Sequence, residues 1–140
     1  MKIANGEVGP IDIAAALPHV PSLKNESRWA AALDEMRSLS QGWDGYHAMP
    51  PTPQAIANAK LVLQAMVQEG LPPTRVAPSV VGGVGITRRI GPRKVYLEFC
   101  NDGHVDTLFT DGENPVAWTV DISPTGLNNL FAQMRSLLDG

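Results

Sequence analysis

The order of hydrophobic periods predicts an α+β two-layer sandwich with two N-terminal helices, a four- to five-stranded antiparallel meander and one C-terminal helix. Three observations predict it. Apolar residues recur at three- and four-residue spacing over residues 26–40 and 53–69, at two-residue spacing from about 76 to 122, and at helical spacing again beyond Pro124. The helical and strand segments are segregated along the chain, which favours an antiparallel sheet with helices on one face over a parallel sheet with crossover helices. A chain of 140 residues is one domain's worth, long enough to bury roughly two thirds of the surface its unfolded form exposes.

Residues 1–22 carry Pro10, Pro18 and Pro21 without a sustained period and read as an extended arm, leaving 23–140 as the single folded domain. In the first helix, Trp29, Ala32, Leu33, Met36 and Leu39 form the apolar stripe and Gly42 stands just past its end. Thr52 is placed to cap the second helix and Pro53 suits its first position, where the missing N–H costs nothing. Ile56, Ala59, Leu63, Met66 and Val67 supply its buried stripe, and Gly70, Pro72 and Pro73 end it.

The period then becomes two. A short strand over 76–81 leads through Gly82-Gly83 into Val84, Ile86, Arg88 and Ile90, which share one side, and Gly91-Pro92 connects to Val95, Leu97 and Phe99. A three-residue Asn101-Asp102-Gly103 loop with a left-handed Gly103 aligns Val95, Leu97 and Phe99 with Phe109, Thr107 and Val105. A two-residue loop would instead mix polar and apolar residues on both faces. The same register gathers Tyr96, Glu98, Cys100, His104, Asp106 and Leu108 on the other face. The last strand is expected over 116–122, with Val116, Trp118, Val120 and Ile122 inward. Ser123 and Pro124 then open a helix with the stripe Leu127, Leu130, Phe131, Met134, Leu137 and Leu138.

Composition narrows the function. Charged residues are 18% of the chain, against about 25% in an average domain, so part of the surface is neutral enough to be covered by a partner. A net charge of −3 argues against coating nucleic acid by overall charge. One cysteine, Cys100, excludes an intramolecular disulfide and points to a reducing cytoplasm. No apolar run approaches the length of about 18 residues that spans a bilayer, and no membrane association is expected.

Three groups of residues are candidates for function. Trp43, Asp44, Tyr46 and His47 lie in a loop between helices, where aromatic and titratable side chains either anchor the joint or present a binding surface. Arg88, Arg89, Arg93 and Lys94 concentrate four of the 11 positive charges at one hairpin tip, able to meet phosphates or an acidic protein. Cys100 opposite His104, with Glu98 and Asp106 nearby, has the residue types of a thiol nucleophile with an oriented base, or of a mixed metal site. An open hairpin offers these last four no enclosed pocket, so neither metal nor cofactor is expected.

Trp43-Asp44-Gly45-Tyr46 with Ala48, the prolines that follow, the Pro-opened helix, Pro78-x-Val80-x-Gly82-Gly83-Val84 and the strand ending Asp102-Gly103 resemble a pattern in short uncharacterised proteins of bacteria and their phages. The resemblance covers roughly residues 39–110. His47 stands where glycine is common in that pattern, and Val81 where an acid is common. The resemblance implies an accessory role in bacterial or mobile-element biology without an enzymatic mechanism. The leading expectation is therefore a non-catalytic module that binds another protein or its own copy. Nucleic-acid binding through hairpin 88–94 is the alternative, and a cysteine-dependent enzyme using Cys100 and His104 the third reading.

Overall fold

The computed structural model describes residues 20–139. The expected arm falls largely on residues 1–19, outside the described residues. Three α-helices and five strands follow in order: α1 (Val20–Glu35), with a 3-10 turn at Met36–Ser38; α2 (Pro53–Gln68); β1 (Arg75–Pro78); β2 (Gly83–Ile90); β3 (Arg93–Cys100); β4 (Val105–Thr110); β5 (Val116–Thr119); and α3 (Pro124–Asp139). The strands form one antiparallel sheet in sequential order, β1-β2-β3-β4-β5, as the meander reading requires.

Helix α1 begins at Val20, earlier than the first periodic apolar residue suggests, and gives way to its 3-10 turn before Leu39. Trp29, Leu33 and Met36 are buried, with the Arg28 guanidinium over the Trp29 ring at 4.5 Å. The start of α2 is built as its sequence suggests. Thr52 Oγ1 accepts from the Ala55 N–H at 3.2 Å, and Pro53 occupies the first turn. At α3, Ser123 Oγ accepts from the Gly126 N–H at 3.0 Å, with Pro124 first in the helix.

The β3–β4 hairpin takes the three-residue turn. Val95 pairs with Phe109, Leu97 with Thr107 and Phe99 with Val105. The Cys100 N–H donates to the His104 carbonyl at 2.8 Å, the Gly103 N–H to the Cys100 carbonyl at 3.0 Å, and Gly103 has φ +96°. One face of the sheet thus presents Val84, Ile86, Val95, Leu97, Phe99, Val105 and Phe109 to Leu33, Ile56, Leu63, Met66, Leu130, Phe131 and Met134 of the helices. The other face contributes nothing to this core, as befits a one-sided antiparallel sheet.

Two strands are shorter than their apolar alternation suggests. β1 stops at Pro78, because residues 79–82 close a turn: the Gly82 N–H donates to the Ser79 carbonyl at 3.0 Å, leaving Val80 and Val81 outside. β5 ends at Thr119, although the Val120 N–H still reaches the Val105 carbonyl at 2.8 Å. Val116 lies on the inward side of an edge strand beyond the reach of the helices, and is 53% exposed.

Candidate interaction surface at the loop end of the sheet

The loop between α1 and α2, the β1–β2 turn and the β3–β4 turn meet at one end of the strands. The first is closed from within. Asp44 Oδ1 accepts from the backbone N–H groups of Tyr46 at 2.9 Å and Ala48 at 3.2 Å, and Trp43 Nε1–H donates to the Met49 carbonyl at 3.1 Å. The Gly42 N–H returns to the Ala48 carbonyl at 2.9 Å. These bonds use the polar atoms of Trp43 and Asp44 to fix the backbone, as loop-building Asp side chains commonly do.

Asn101 joins this loop to the sheet. Its Oδ1 accepts from the Thr52 N–H at 2.8 Å and its Nδ2 donates to the Pro50 carbonyl at 3.1 Å. The Gly-Gly pair fits beneath. A Cβ on Gly83, at φ +116°, would overlap the Phe99 carbonyl oxygen; one on Gly82 would stand 2.9 Å from Asn101 Nδ2 and 3.9 Å from Met49 Cβ. The residue types that mark this sequence, Trp-Asp-Gly-Tyr, Gly-Gly and Asn-Asp-Gly, thus build one hydrogen-bonded end.

Four large apolar side chains stand out from these loops: Tyr46 at 80% exposure, Met49 at 52%, Val80 at 64% and Val81 at 78%. Tyr46 is therefore not an anchor of the joint. The loop bonds use its backbone and leave its ring in solvent. His47 is also exposed. Met49, Val80 and Val81 are not among the functional candidates that the sequence singles out. Val80 and Val81 look like the end of an alternating strand, and only the Gly82-Gly83 turn signal indicates that both leave the sheet.

The basic hairpin tip lies at the opposite end of the strands, and its four cations part company. Arg88 is on the core side: its Nη1 donates to the Pro72 carbonyl at 2.7 Å, and its Nε is buried without a partner among the described residues. Burial lowers its pKa, against which the Asp139 carboxylate acts. Arg89 and Lys94 pair across β2 and β3 on the open face, while Arg93 has the opposite parity and acts at long range on Asp111.

Cys100 and His104 are opposite neighbours, joined through their backbones. The His104 ring, however, bonds Asp102, with Nδ1 3.3 Å from Oδ2. Burial raises the Cys100 thiol pKa, and Glu98, Asp106 and Asp102 raise it further. Glu98 is engaged by the Tyr96 hydroxyl, which donates to its Oε1 at 2.7 Å, and Asp106 Oδ1 accepts from Thr119 Oγ1 at 3.3 Å. Among the described residues no group of three or more His, Cys, Asp or Glu side chains is arranged to hold a metal ion.

The fold and its loop end define a small α+β protein with a one-sided antiparallel meander and hydrogen-bonded loops that expose large apolar side chains. No protein-family model, curated protein or solved structure matches the chain. Among the described residues no helix is long and apolar enough to cross a membrane.

Proposed function

We propose that this protein is a non-catalytic, cytoplasmic protein-binding module, an accessory of bacterial or mobile-element systems, whose partner docks on the loop end through Tyr46, Met49, Val80 and Val81. The observation that carries this reading is the division of labour there: the polar atoms of Trp43, Asp44 and Asn101 are engaged in holding the loops, while four large apolar side chains remain in solvent. Exposed large apolar groups on hydrogen-bonded loops are a usual part of a protein interface, and aromatic residues commonly dominate its affinity. The low charge density and the resemblance to short bacterial and phage proteins support the same reading.

The test is affinity capture from a bacterial host lysate with the wild-type chain beside Tyr46→Ala and Val81→Ser, quantified by mass spectrometry. A partner retained by the wild type and lost from both variants is expected. Capture of the same proteins by all three chains would refute the proposal.

Nucleic-acid binding through hairpin 88–94 is supported by the adjacent Arg89 and Lys94, but with Arg88 turned to Pro72 it rests on Arg89, Arg93 and Lys94. Binding by this route weakens steeply with salt, because each phosphate contact releases counterions. A gel shift with duplex and single-stranded DNA and RNA at low salt that shows no complex excludes it.

A further inference from the structure

The sheet face away from the helices carries a charge pattern that the monomer leaves unresolved. Arg89 stands directly opposite Lys94, and Glu98 directly opposite Asp106. Like charges in directly opposed positions repel. Neither Arg89 nor Lys94 forms a salt bridge with a carboxylate of the described residues, and Glu98 Oε2 is buried without a hydrogen-bond partner. Lys94 and Glu98 are four residues apart on β3, about 13 Å along the strand. The row midway between them carries Thr87, Tyr96, Leu108 and Ala117, uncharged over its centre, with Arg75 at its β1 edge.

The same face is shaped for contact. Tyr96 lies over Gly85, where a Cβ would come within 2.5 Å of the phenol oxygen. A glycine inside a strand weakens it, and here it lets the ring lie down on β2. A shallow groove of about 440 Å³ runs beside Tyr96 toward Leu108, Ala117 and Thr119, and a smaller one of about 230 Å³ toward Ala77 and Thr87.

We propose that the chain forms a two-fold dimer through this face, with the axis crossing the strands at Tyr96. That axis runs obliquely to the strands, so a rotation about it reverses their direction and sets the two sheets at about 30° to each other. It carries the Glu98–Asp106 pair of one protomer onto the Arg89–Lys94 pair of the other, twice over, while the Tyr96 rows meet at the centre. The contact is self-complementary, as a two-fold interface must be. It is also an ordinary aligned sheet-on-sheet packing, with the sheets about 10 Å apart. An axis parallel to the strands would set cation on cation, so the charge pattern selects one arrangement. The face is separate from the loop end and does not depend on the partner proposed for Tyr46 and Val81.

The test uses the full chain in sedimentation velocity from about 1 to about 100 μM at low and high salt. The wild type is expected to dimerise in this range, more weakly at high salt. Lys94→Glu and Asp106→Lys, which act on opposite ends of the pattern, are each expected to weaken self-association by about tenfold or more. An equimolar mixture of the two is expected to recover one-to-one heterodimers, because each reversal then meets its complement. A wild type that is monomeric at the highest concentration, reversals that leave the dimer intact, or a mixture that fails to recombine would each overturn the proposal.

A measurement on the wild type alone guards against a variant that does not fold. Isotopically light and heavy chains are mixed and coupled with a carbodiimide. Cross-linked peptides joining Lys94 of one label to Glu98 or Asp106 of the other are expected, and their absence overturns the arrangement. Loss of the dimer together with retained Tyr46-dependent capture would separate failure of this inference from failure of the proposed function.

Discussion

Asn101 supplies to Thr52 the hydrogen bond that a helix usually provides for its own cap. Thr52 Oγ1 accepts from the Ala55 N–H, the third helical position, which is one half of a capping box. The other half needs a Glu or Gln at that position to accept from the cap's own N–H, and alanine cannot. Asn101 Oδ1, 49 residues away in sequence, accepts it instead at 2.8 Å. Asn101→Ala should therefore destabilise the fold by about 1–3 kcal/mol, since it removes two part-buried bonds and strands the Thr52 N–H. Asn101→Asp keeps the acceptor but sets a carboxylate oxygen against the Pro50 carbonyl, two acceptors with no proton between them, so it should destabilise the fold as well. Urea denaturation of both variants measures the losses, and equal stability of Asn101→Ala and wild type would contradict the role.

Where local chemistry decides, the fold was legible. Thr52-Pro53 and Ser123-Pro124 announce helix starts, and the parity of Val95, Leu97 and Phe99 against Val105, Thr107 and Phe109 admits only a three-residue turn. Where a neighbour decides, it was not. The side that Arg88 occupies followed from alternation, but its bond to the Pro72 carbonyl depends on how the α2–β1 connection passes the sheet. The His104 ring turns to Asp102 because a turn residue offers a nearer acceptor than the opposing strand does. Tyr46 was legible as unusual but not as exposed, since an aromatic beside a helix end anchors a joint more often than it leaves it.

Thr107 lies on the core face between Leu97 and Trp118 and is 1% exposed, yet its Oγ1 has no hydrogen-bond partner among the described residues. A buried unsatisfied hydroxyl costs about 1–3 kcal/mol, and valine has nearly the same shape without the polar atom. Thr107→Val should raise stability by about 1 kcal/mol and the thermal midpoint by a few degrees. A calorimetric scan showing destabilisation would mean that the hydroxyl is satisfied in solution.

Cys100 should behave as an inert thiol. Burial, then Glu98, Asp106 and Asp102, all disfavour its thiolate, so its fraction of reactive anion at neutral pH falls below that of a free cysteine. Iodoacetamide labelling should be slower than for a small-molecule thiol and should rise with pH to a midpoint above about 8.5. His104→Ala should leave the rate within about twofold, because the ring bonds Asp102 rather than activating sulfur. Fast labelling that His104→Ala slows would instead revive a cysteine-based chemistry.

Tyr96 ties the sheet's open face to alkaline pH. Burial first, and then the hydrogen bond to Glu98 and the charge of that carboxylate, raise the pKa of its phenol above the usual value near about 10. In the unfolded chain that phenol returns to the ordinary value. Between the two, the folded state holds a proton that the unfolded state has released. Stability from this group is therefore complete below about pH 10 and is lost as pH rises toward the folded pKa. Tyr96→Phe removes the ionisation, so it should lose stability at neutral pH, through the missing bond to Glu98, while showing a shallower decline above about pH 10 than the wild type. Denaturant midpoints for both chains from pH 7 to 11 measure the two slopes, on the order of the interval where phenols titrate. Parallel slopes across that interval would show that the Tyr96 phenol has the same proton affinity in the fold as in the open chain.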